Sequence, residues 1–140
     1  MNAPRLARLY ARIALGSAFL SAVAARFGLW FDRGPHPFTA FIRYTAEVNS
    51  FLPAASAPLL AVLATVAETT IGVALLAGIR VEWTALAAAI LLALFGVAMT
   101  LSFGVKSALD ASVFSASAGA LLLWAASGSD RRATTPRPAR

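Results

Sequence analysis

Four long apolar runs, separated by short polar breaks, carry most of this chain. The first covers residues 9–29, with Arg12 and Arg26 near its ends, where long side chains can snorkel toward polar layers. Its part from Ile13 to Ala25 also has the small-residue ending of a secretory signal peptide. Apolar character resumes at Phe27, however, and that favours a retained helix. The second run spans 57–79. Ser56 stands where an N-cap is expected, Pro58 falls in the first turn, and Gly78 stands where a left-handed ending is expected. The third, 83–103, holds no charge, and the link Arg80-Val81-Glu82 is so short that runs two and three must form an antiparallel hairpin. The fourth covers 107–126. It opens on Ser107-Ala108-Leu109-Asp110, which has the spacing of a capping box. Residues 127–140 are polar, basic and proline-bearing, and predict a disordered tail.

Each run meets the roughly 20 residues needed to cross about 30 Å of hydrocarbon. Within them the small residues recur at helical spacing. Ala61, Thr65, Glu68 and Gly72 share one face of the second run, with Leu59, Leu63, Val66 and Val73 opposite. Ala85, Ala89, Ala93, Gly96 and Thr100 line the third, opposite Ile90, Leu94, Val97 and Leu101. The first run offers Ser17, Ser21, Ala24 and Gly28, and the fourth Ser112, Ser115 and Gly119. Close packing of small faces binds membrane helices to one another. The pattern therefore predicts an all-α integral membrane protein: an antiparallel four-helix bundle over residues 1–126, with the small faces inward.

The connection 30–55 is unlike an ordinary loop. Phe38, Phe41 or Ile42, Thr45 and Val48 follow helical spacing, and aromatics crowd the segment and its approach, Trp30 and Tyr44 among them. A short amphipathic helix, connecting helices 1 and 2 and lying in the outer interface of the membrane, is expected. It serves either as an aromatic anchor or as a cap over a site for a flat apolar ligand.

Composition supports the bilayer as solvent. Residues are 59% hydrophobic and 13% charged, against about 25% charged in a typical soluble domain. The net charge of +6 would suit nucleic acid, but its basic residues cluster at the chain ends, as in a membrane protein. Eight of them (Arg5, Arg8, Arg12, Arg80, Arg131, Arg132, Arg137, Arg140) fall on the side of the termini. Four (Arg26, Arg33, Arg43, Lys106) fall opposite, so the positive-inside bias predicts cytoplasmic termini. With no cysteine and one histidine, His36, the chain cannot supply thiolate chemistry, disulfides or paired histidine ligands of its own. No phosphate-loop, dinucleotide, serine-elbow or clustered metal-ligand motif occurs.

Glu68 is the chemical anomaly. It lies twelfth of the twenty-three residues from 57 to 79, near mid-depth. A charge there costs on the order of 2.5–3.5 kcal/mol on the lenient insertion scale, so a mostly protonated carboxyl donating to a hydroxyl or a carbonyl is the expected state. Thr65, Thr69, Ser17, Ser21, Ser112 and Ser115 are the candidate partners, and Arg26 the candidate cation if it reaches inward. Glu68 is then either packing glue or a proton-handling or ligand-binding group. Thr65, Arg26, Trp30 and Tyr44 are candidates for the same site. Asp110 is either a helix cap or a carboxylate paired with Lys106.

The succession RFGLW, YTAEVNSFLP, ATVAETTIGVALLAG and FGVKSALDASVFSASAGALLL, over Tyr10 to Ala126, resembles the DoxX family of small bacterial membrane proteins. The resemblance implies an inner-membrane protein with four spans, an intramembrane glutamate matching Glu68 and a short link matching Gly78 to Arg80. Some relatives look like subunits of a thiosulfate:quinone oxidoreductase, and others sit in membrane complexes linked to oxidative stress. The family's usual proline before the fourth span is replaced here by Ser107-Ala108. The family has no agreed catalytic set to carry over. Two functions are thus expected in competition. One is a redox-complex subunit binding quinone in the bundle; the other is a non-enzymatic scaffold, joined to other membrane proteins or to copies of itself.

Overall fold

The structure, a computed structural model, describes residues 3–30 and 37–134. It is all-α, with no strand among the described residues. The elements are α1 (Ala3–Arg26), α2 (Pro37–Val48), a 3-10 turn (Ala54–Ser56) running into α3 (Ala57–Ala77), α4 (Val81–Phe103), α5 (Val105–Asp110) and α6 (Val113–Thr134). Three helical units, Ala3–Arg26, Ala54–Ala77 and Val81–Phe103, are long and apolar enough to cross a membrane. The apolar part of α6, Val113–Gly128, is shorter. His36 lies outside the described residues.

Two glycines set the ends that matter. At Gly78 (φ 73°) the N–H groups of Gly78 and Ile79 return to the carbonyls of Leu75 and Ala74, a Schellman ending that closes α3. Gly28 (φ 74°) does the same for α1, with Gly28 and Leu29 donating to Ala25 and Ala24. The first helix therefore stops three residues short of the expected 29. Arg26 falls in its last turn, where the helix dipole favours a cation.

Two expected caps are absent. Ser56 makes no side-chain cap bond; its hydroxyl donates to the Pro53 carbonyl, because the 3-10 turn already holds the backbone helical there. The capping box at Ser107 does not form either. Gly104 (φ 86°) starts α5 at Val105, which leaves Asp110 as its last residue. There Asp110 accepts a bond from Lys106 at 2.5 Å, with both side chains largely exposed (64% and 85%). Exposed i,i+4 pairs contribute little, so Asp110→Asn is expected to change unfolding stability by less than about 0.5 kcal/mol. Ser112, at φ 56°, then breaks the fourth run in two. α6 restarts at Val113 and continues to Thr134, beyond the expected helix end at 126.

The closest pairings are α1 with α3 and α4 with α6; α3 meets α4, α1 meets α6, and α2 lies across α3 and α4. The predicted inner faces of α3 and α4 hold. Ala61, Glu68, Gly72, Ala85, Ala89 and Gly96 are buried, while Leu59, Leu63, Val66, Ile90, Leu94 and Leu101 point outward. On α1 and around the start of α6 the prediction fails, since Ser17, Ser21, Ser112 and Ser115 are all exposed. A face of glycine and alanine leaves a hollow that a large neighbour must fill to reach native packing density. Leu20 accordingly sits where a Cβ on Gly72 would be, and the Phe114 ring where one on Gly96 would be. Leu15, Phe19 and Leu123 join Ile71, Leu75 and the alanines of α4 in the core. Arg12 does not snorkel outward. It donates to the carbonyls of Leu75 and Leu76 in the last turn of α3, where intrahelical partners run out.

Candidate functional site: a buried ion pair beside an apolar cavity

Glu68 is 1% exposed, and the partner it meets is Arg26. The Nη2 of Arg26 donates to both carboxylate oxygens, at 2.6 and 2.7 Å. Its Nη1 donates to Thr65 Oγ1 at 3.0 Å. Thr65 spends its own proton on the Ala61 carbonyl at 2.7 Å, which leaves its lone pairs for the arginine. The expected protonated carboxyl with a hydroxyl partner is replaced by an ion pair. Thr69 donates to the Thr65 carbonyl instead, and the four serines proposed as partners face outward.

Helix geometry explains how Arg26 reaches the middle of α3. α1 and α3 are antiparallel and touch at Gly16 and Gly72, where a Cβ on either would lie 3.0–3.2 Å from the other's carbonyl oxygen. Arg26 is ten residues beyond that contact and Glu68 four, so at 1.5 Å per residue their backbones differ in depth by about 9 Å. A long side chain spans most of that. Helical side chains lean toward their own N-terminus, and for Arg26 that direction is inward.

The guanidinium is covered by α2. Its carbon lies 3.8 Å from the Phe41 ring centroid, a cation–π contact. Phe38 extends the aromatic ladder, tilted against Phe41 at 6.1 Å and stacked on Phe27 at 5.7 Å. The far end of α2 is tied to α4 by Ser102, whose hydroxyl donates to the Val48 carbonyl at 2.6 Å and accepts from Ser50 at 3.0 Å.

Because α1 stops at Arg26 while α3 and α4 continue, α2 roofs a cavity of about 460 Å³ between them. Phe41, Tyr44, Thr45, Val48 and Asn49 form the roof, Leu60, Leu63, Ala64 and Ala67 one wall, and Leu91, Leu94, Phe95, Ala98 and Met99 the other. Tyr44, Leu63 and Leu94 are exposed, so the cavity opens outward between α3 and α4. Its volume is in the range of small-molecule sites. Arg26 lines it and Glu68 does not, so a molecule inside would meet the guanidinium rather than the carboxylate. Of the five N–H groups of Arg26, Nε–H and one on Nη1 make no bond among the described residues.

Of the residues singled out from sequence, Arg26, Glu68 and Thr65 come together, and Tyr44 stands at the cavity mouth, its ring 6.3 Å from Phe103. Trp30 is exposed and does not line the cavity, and Asp110 is engaged with Lys106 elsewhere. Asn49 was missed. It follows Thr45 by four residues, so extending the α2 stripe by one step would have found it. Among the described residues no group of three or more His, Cys, Asp or Glu is placed to hold a metal ion. No protein-family model, curated protein or solved structure matches this chain.

Proposed function

We propose that this chain is a multi-pass protein of the bacterial inner membrane, a four-helix bundle of the DoxX type with cytoplasmic termini. In this reading it binds a neutral apolar ligand of the quinone class beneath α2 and serves as a subunit of a redox complex. The membrane part is supported by three helices of spanning length and by the apolar outward faces of α3 and α4. The single observation that carries the ligand is Arg26: a guanidinium with two donors unbonded among the described residues, its charge balanced by Glu68, set in the wall of an apolar cavity. A carbonyl oxygen on a flat ring suits that donor, and the leucines and aromatics suit the ring and an alkyl tail. Without cysteines or a second histidine the chain offers no thiolate or paired-imidazole ligand set. Electrons for such a ligand therefore come from a partner protein.

Gentle extraction from native membranes, with mass spectrometry of the organic extract, should recover a quinone or a similar carbonyl-bearing lipid. Ala64→Phe, which places a ring in the cavity and leaves both residues of the ion pair unchanged, is expected to weaken retention of an added quinone by more than about tenfold, or ~1.4 kcal/mol. Failure of both wild type and variant to retain quinone removes this reading.

The outward serines favour a second one. Ser17 and Ser21 on α1, and Ser112 and Ser115 around the start of α6, present small polar faces of the kind that pack between membrane helices. A scaffold would use them to hold a neighbouring subunit or another copy. A stoichiometric protein partner recovered without ligand, and lost on Ser17→Leu/Ser21→Leu, would favour it.

A further inference from the structure

We infer that Glu68 is the specificity-determining counter-ion of the cavity, making it select a neutral carbonyl-bearing lipid over a fatty acid; this rests on the cavity being the ligand site. Among the described residues lining it, Arg26 carries the only charge. That charge is already matched from behind by both oxygens of Glu68, which does not itself reach the cavity. A ketone or ester oxygen can take the Nε–H or the Nη1–H that no described residue engages, and adds no charge. A fatty-acid carboxylate, with the same tail and the same acceptor atom type, would place a second anion on one guanidinium in an apolar enclosure, where like charges repel with little screening. A bilayer holds both kinds of molecule, and shape alone separates them poorly. Removing the carboxylate should reverse the choice, because Arg26 would then lack an anion that a fatty acid can supply through the cavity.

Methyl oleate and oleate share a chain and differ in charge. With full-length protein in neutral detergent at alkaline pH, retained lipid measured by mass spectrometry should favour the ester by at least about tenfold in wild type. Glu68→Gln should favour oleate by a similar factor, and oleate should raise its unfolding temperature. Should this variant unfold on extraction, oleate present throughout should recover it and methyl oleate should not. Glu68→Asp, which keeps the charge, should keep the preference for the ester. Equal retention of acid and ester by wild type overturns the inference, as does a Glu68→Gln protein that keeps the wild-type preference or that oleate cannot recover. Retention of neither lipid by either protein overturns the cavity as a site, and the inference with it.

Discussion

Glu68→Leu alone is expected to destabilise the fold by about 3–5 kcal/mol, whereas Arg26→Leu/Glu68→Leu together should return to within about 1–2 kcal/mol of wild type. The single change strips two of the three hydrogen bonds of a guanidinium whose side chain is 11% exposed, and leaves its charge without a counter-ion. Arg26→Leu strands the carboxylate in the same way, at 2% side-chain exposure. In the double variant no charge remains in the site. Thr65 is not orphaned either, since its hydroxyl keeps the Ala61 carbonyl. What the double variant still loses is the Phe41 contact and some packing from the long arginine stem. Reversible unfolding of all four proteins in mixed micelles closes the double-mutant cycle. A coupling near zero, with both single variants close to wild type, would mean that the pair does not hold α1 to α3. Under the proposed function the same double variant should stay folded yet lose quinone retention along with the Arg26 donors.

Gly72→Leu should be the next most damaging change, by about 1–3 kcal/mol or somewhat more, the range of overpacked cores. Even a Cβ there would sit 2.9 Å from Leu20 and 3.2 Å from the Gly16 carbonyl oxygen. Leu20 can move, but the Gly16 backbone cannot without parting α1 from α3. Separation at that contact also shifts Arg26 away from Glu68, because the register of the two helices is set there. Under the proposed function, loss of stability and loss of quinone retention should therefore appear together. Gly119→Ala is the control: nothing lies within 4 Å of its Cβ position, so stability should be held or slightly raised by the better helix former. Thermal unfolding in detergent reads both. A Gly72→Leu protein as stable as Gly119→Ala would show that the close approach is not needed.

The apolar runs revealed α3 and α4 nearly residue for residue, and period-3.6 spacing assigned their inner faces correctly, Glu68 included. The stripe Phe38, Phe41, Thr45, Val48 similarly revealed α2. These readings succeeded because each depends on one helix and its own periodicity. The inner faces of α1 and of the fourth run were misassigned because the same rule, small residues inward, was applied to every helix. Packing is a relation between helices: once α3 presents Gly72 and α4 presents Gly96, their neighbours must supply Leu20 and Phe114, and the serines turn out.

The sequence by itself determined that this chain builds long apolar helices, that Glu68 falls at the middle of one of them, and that it faces protein. Those are consequences of length, composition and helical repeat. Only the tertiary structure decided that the partner is Arg26, because the register of two antiparallel helices about a glycine contact has no signature in either helix alone. The cavity was decided there too. It exists because α1 ends at Arg26 while α3 and α4 run on, a difference in height that appears only when the helices stand side by side.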